Sequence, residues 1–102
     1  MFVVIYTLGP AWGEGKTVDE LPVLHEHLRY MHQVFAARQL LMGGPFLDNQ
    51  SGLGILDVEG EAQAREIVAH DPFVLAGVLE PHLHSWHAYF NQYQARSTPS
   101  ES

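Results

Sequence analysis

From Phe2 to Leu8 the chain is a continuous apolar and β-branched run, FVVIYTL, stopped by Gly9-Pro10. Such a run predicts a strand buried on both faces. Residues 9–18, with three glycines and a proline, predict a loop. Asp19 or a neighbour is placed to cap a helix, and Pro22 falls in its first turn, where a missing N–H costs little. Leu21, Leu24, Leu28, Met31 and Phe35 then recur at 3-4-3-4 spacing, which predicts an amphipathic helix over 20–37. A second strand is expected at 40–46 and a third at 53–58, joined through the turn cluster Asp48-Asn49-Gln50-Ser51-Gly52. A second helix is expected over 61–70, with Ala62, Ala64, Ile67 and Val68 available to the core. Asp71-Pro72 ends it, because a residue before proline avoids the helical region. One more helical turn is expected before Gly77, then a fourth strand over 80–90.

The order is β-α-β-β-α-β. That is the split βαβ arrangement of an α+β, ferredoxin-like domain: a four-stranded antiparallel sheet with two helices on one face. In the first strand Phe2, Val4, Tyr6 and Leu8 point one way and Val3, Ile5 and Thr7 the other. Both rows are largely apolar, yet the helices cover one face only. A second copy of the sheet is the simplest cover for the other, so a homodimer is expected.

At 102 residues the chain has room for one domain, expected over 1–93, with a disordered polar tail at 94–102. Five basic residues against twelve acidic ones, a formal charge of −7, cannot build the basic patch that nucleic acid or an anionic membrane surface requires. With no cysteine, disulfides and thiolate chemistry are excluded. No apolar run approaches a membrane span, and the N-terminus lacks the basic flank and cleavage site of a signal peptide, so a cytoplasmic location is expected. Seven histidines are many for this length. His25 and His32 are two helical turns apart, too far for one metal ion without a third element, and read as solvent-facing. His82 and His84 have a genuine metal spacing on a strand but no evident third ligand; a polar or aromatic interface is preferred, with His87 facing the other way. His70 sits where a helix C-terminus favours a partial positive charge. No metal and no cofactor is expected.

Three segments in order carry a family resemblance: His27-Leu28-Arg29-Tyr30-Met31 on the first helix, Leu41-Met42-Gly43-Gly44-Pro45-Phe46 with Asp48, and Asp71-Pro72-Phe73 with Ala76-Gly77. Glu80 and Trp86 fit the last strand. Over roughly residues 1–90 the chain resembles the YciI-like (YCII-related) family of the dimeric α+β barrel superfamily, whose fold is similar to that of muconolactone isomerase. The resemblance implies a dimeric barrel and a His–Asp pair, carried here by His27 and Asp71. One branch of the family removes chloride from a chlorinated hydroxyhydroquinone. The long 9–18 loop and the histidine-rich last strand depart from the family pattern, so the substrate is not carried over.

Read from the residues alone, each candidate keeps two readings. His27 lies about 70° from the centre of the Leu21–Phe35 stripe, on a margin shared with Val23, Tyr30 and Val34. There an imidazole is either an amphipathic side chain with a wet tip or a group facing a cleft. Asp71 before Pro72 is a natural N-cap for the next turn, and its two oxygens allow it to hold an imidazole as well. Gly43-Gly44-Pro45 has no lysine and no following helix, so it is no phosphate loop; glycine there lets a ligand or side chain approach the backbone. Gly44, Pro45, Phe46 and Phe73 are the candidate ligand contacts; Trp12 and Trp86 are further candidate walls, and all four aromatics also read as ordinary core or interface residues, Phe46 and Phe73 evenly so. Two functions follow. In one, His27 moves a proton and Asp71 fixes its tautomer, leading to isomerisation or elimination on a small oxygenated ring or enol-like substrate. In the other, the domain binds a small molecule or dimerises without catalysis. An imidazole bonded to Asp71 on one side and open to a cavity on the other favours the first; a histidine sealed in packing favours the second.

Overall fold

The structure is a computed structural model and describes residues 1–12, 20–21, 23–48 and 51–92. The elements are β1 (Phe2–Leu8), α1 (Leu24–Ala36), β2 (Leu40–Pro45), β3 (Gly52–Leu56), α2 (Glu61–Ala69), α3 (Pro72–Leu75) and β4 (Leu79–Ser85). The strands form one antiparallel sheet in the order β2-β3-β1-β4, the ferredoxin-like α+β arrangement. The expected cap at Asp19, Pro22 in the first helical turn, most of the 9–18 loop and the 94–102 tail lie outside the described residues. Among the described residues no helix is long and apolar enough to cross a membrane.

The alternation in β1 decides which face is core. Phe2, Val4 and Tyr6 are buried, while Ile5 is exposed and Val3 and Thr7 are half-buried. The first row meets Leu40, Leu56, Ala64, Val68 and Val34 in the main hydrophobic cluster. The second row lies on the open face, where Ile5 pairs with His82 and Leu53, and Val3 with His84 and Ile55. His82 Nε2 is 3.0 Å from Thr7 Oγ1. His25, His32 and His87 are exposed, and among the described residues no three His, Cys, Asp or Glu side chains cluster to hold a metal ion.

Two boundaries and one packing face depart most from the sequence expectation. Helix α1 begins at Leu24, not near residue 20, because Val23 sits in the left-handed region (φ 57°), which interrupts helical geometry. Its far end is a Schellman closure: Gln39 N–H donates to Val34 O and Arg38 N–H to Phe35 O, with Arg38 in the left-handed region at φ 65°. Strand β4 ends at Ser85, not at 90. Its partner β1 begins at Phe2, opposite Ser85; one more bond, Trp86 N–H to Met1 O, exhausts the ladder. The third correction concerns the α1 stripe. Val34 is the buried residue of the helix, whereas Phe35 and Leu28 are exposed. The packing face is rotated toward the margin that carries His27, Tyr30 and Val34. Tyr30 fastens that face to α2 by donating its hydroxyl proton to Ile67 O at 2.6 Å.

Candidate functional site

Below the N-terminal half of α1, strands β2 and β3 contribute glycines to the sheet. Across the strands, Gly43 of β2 pairs with Gly54 of β3, which pairs with Val4 of β1; Pro45 pairs with Gly52, which pairs with Tyr6. A Cβ added at Gly54 would lie 3.1 Å from Val4 Cγ1, on the helix-facing side of the sheet. The result is a cavity of about 300 Å3. Its floor is Gly43, Gly52, Gly54 and Tyr6, and α1 contributes Leu24, His27, Leu28 and Met31 above it. Gly44, Pro45, Ser51 and Leu53 line the β2–β3 end, and Trp12 and Leu79 also line it. Since an engineered apolar cavity of about 150 Å3 takes a benzene ring, this volume suits one substituted ring.

His27 and Asp71, 44 positions apart, meet here. His27 Nδ1 is 2.7 Å from Asp71 Oδ1. Asp71 arrives by local rules: it is the N-cap of α3, its Oδ1 accepts from Phe73 N–H at 2.9 Å, and Pro72 occupies the first helical position, where no N–H is needed. The same short segment brings Phe73 against the imidazole. The rings stack with centroids 4.0 Å apart and planes 11° from parallel. One face of the ring and one nitrogen are thus held. An ionised carboxylate only accepts, so the Nδ1 proton belongs to His27 and Nε2 of the neutral ring is the lone-pair nitrogen. No described residue bonds Nε2, and the imidazole, 17% exposed, lines the cavity.

Asp71 is 1% exposed, and its Oδ2 has no hydrogen-bond partner among the described residues. Its field reaches two phenols. Burial, then the Asp71 charge, then Tyr30 push the Tyr6 hydroxyl pKa well above its ordinary value. Burial, followed by Asp71 and Glu66, also raises that of Tyr30.

Of the candidate contacts, Gly44 and Pro45 line the cavity. Phe46 does not: it follows the last residue of β2 and lies exposed. Phe73 does not either; it is buried, as the support behind His27. Trp12 is a wall, whereas Trp86 is exposed just past β4. Tyr6, Gly52 and Gly54 escaped sequence reasoning. Tyr6 sits in an apolar row that reads as core or as dimer face, Gly52 reads as a turn residue, and a single glycine in a short strand carries no direction. Only the strand register shows that the glycines adjoin.

A family model described as the YCII-related domain matches residues 1–83. The chain belongs to the YCII-related family. Its fold is similar to that of 5-chloro-2-hydroxyhydroquinone dehydrochlorinase from Burkholderia phenoliruptrix AC1100, whose structure is a complex with 2,5-dihydroxybenzoquinone. That match has a TM-score of 0.65 at 23% identity and covers 85% of this chain and 94% of the other. No curated protein matches the sequence.

Proposed function

We propose that this YCII-related chain is a proton-transfer enzyme acting on a small oxygenated ring or enol-like substrate, without a cofactor. The observation that carries the reading is the 2.7 Å His27–Asp71 contact beside an apolar cavity. His27 Nε2 takes a proton from an acidic C–H or O–H. Asp71 holds the tautomer that leaves Nε2 basic and stabilises the imidazolium that forms. Isomerisation follows if the proton returns at another atom, and elimination follows if a leaving group departs. The dehydrochlorinase of similar fold supports the elimination branch, and its quinone ligand is of a size for this cavity. Gly44 and Pro45 form the substrate-binding end.

A homodimer through the open sheet face belongs to the same proposal. Ile5, Met42 and Trp86 are exposed, with Val3, Leu53 and Ile55 half-buried among them. Monomers rarely leave so much contiguous apolar surface uncovered. Light scattering at micromolar concentration should give twice the chain mass.

The test is a panel of hydroxylated and halogenated quinols, screened by thermal shift and then for proton exchange or halide release. The wild-type protein should be stabilised by at least one member and turn it over, and His27→Ala should retain fold and dimer but lose turnover. Unfolding of His27→Ala together with no ligand among the panel would make His27 a structural residue.

A further inference from the structure

The cavity presents a second polar group that the His–Asp pair does not account for. Tyr6 comes from the buried row of β1 and lines the floor beside the glycines, under the same space that His27 enters from α1. Its ring is buried, packed in the main hydrophobic cluster. Yet its hydroxyl bonds no described residue, whereas Tyr30, the other phenol near Asp71, is paired to Ile67 O. A buried phenol ordinarily finds a partner.

We propose that the Tyr6 hydroxyl is a ligand-binding group that donates a hydrogen bond to a carbonyl or enolate oxygen of the molecule His27 deprotonates. The inference rests on the proton-transfer reading of the site and narrows its substrate class. A ligand must carry an oxygen over the glycine floor within reach of Tyr6 and an acidic proton within reach of His27. The roles are complementary. His27 accepts the proton at Nε2, the electron pair left behind is delocalised onto the ligand oxygen, and the Tyr6 O–H bond to that oxygen strengthens as the charge develops. No other reactant is consumed. The phenol is kept a donor by burial and by the neighbouring Asp71 carboxylate, both of which oppose phenolate. Asp71 thus bears on both groups: through Oδ1 it orients the base, and its charge, after burial, raises the Tyr6 pKa further above its ordinary value.

Tyr6→Phe separates this role from a structural one. The lost hydroxyl has no partner among the described residues, so the ligand-free melting temperature should stay the same or rise. A hydroxyl that held the fold together would lower it. Calorimetric titration with 2,5-dihydroxybenzoquinone should show binding to the wild-type protein and a dissociation constant about tenfold higher or more for Tyr6→Phe, the scale of one hydrogen bond to a charged oxygen. Equal affinity of the two proteins, or a melting temperature lowered in Tyr6→Phe, overturns this role for Tyr6 while leaving the His27–Asp71 reading standing. Absence of binding to both proteins overturns the site reading and this inference with it.

Discussion

The helix-facing side of the sheet has two ends built by opposite means. At one end Leu40, Leu56 and Phe2 form a row of large side chains, closed by Ala64 and Val68 of α2 and Val34 of α1. At the other end, two and four residues further along β1, the equivalent rows read Gly43–Gly54–Val4 and Pro45–Gly52–Tyr6. The register of β2 on β3 shifts between Leu40 and Met42, and beyond that irregularity β2 and β3 present glycines while β1 keeps Val4 and Tyr6. The first end supplies stability through buried apolar area. The second gives some of it up to hold open a space that His27 and Tyr6 share. Placing both on one continuous sheet lets the packed end hold the empty one rigid.

The largest expected effect lies at the empty end. Asp71→Asn should keep the fold, since Asn caps a helix as well as Asp does. It should nevertheless lower turnover on the order of 10²–10⁴-fold, because the base loses its fixed tautomer and the charge that stabilises the imidazolium. Steady-state kinetics beside a thermal melt measures both. Leu56→Ala should break the packed end. Leu56 is 2% exposed, and its truncation should cost about 3 kcal/mol in urea denaturation with little change in ligand affinity under native conditions. Gly54→Ala crosses the boundary between the ends. Its new methyl meets Val4 Cγ1 at 3.1 Å, and Val4 is fully buried with nowhere to move. We expect a cost of about 1 kcal/mol and a proportionally larger loss of quinone binding, the reverse of the Leu56→Ala pattern.

The smallest effect at neutral pH is the alkaline one. Because Tyr6 and Tyr30 hold their protons more tightly in the folded chain, the unfolded state ionises first as the pH rises past about 10. Their contribution is complete below that point and is lost as the pH climbs toward the folded values. Urea midpoints should fall above pH 10 in the wild-type protein and fall less steeply in Tyr6→Phe.

Much of this was legible in the sequence for identifiable reasons. Period two in β1 separates the core row from the open row, and Asp-Pro announces a cap wherever it follows a helix. His27 stands out because it sits on the margin of an apolar stripe. That margin proved to be the packing face: Leu28 and Met31 of the stripe overhang a cavity that side-chain counting presumes to be filled. Gly52 and Gly54 carry no signal of their own until strand register sets them beside Gly43. Tyr6 was hidden for the opposite reason, since an aromatic in a buried row already has an explanation. The β4 boundary was misjudged because alternation continues past Ser85 although the strand that would pair with it has ended.

The central claim is that Asp71 leaves His27 Nε2 basic and facing a cavity that accepts an oxygenated ring. Nitrogen-15 NMR of the His27 imidazole tests it most directly, recorded near neutral pH before and after addition of 2,5-dihydroxybenzoquinone. The expected result is that the neutral ring carries its proton on Nδ1, with the Nε2 resonance shifting on ligand addition and the Nδ1 tautomer preference lost in Asp71→Asn. A proton resident on Nε2 with Nδ1 bare, or an Nε2 resonance indifferent to a ligand that binds, would contradict it.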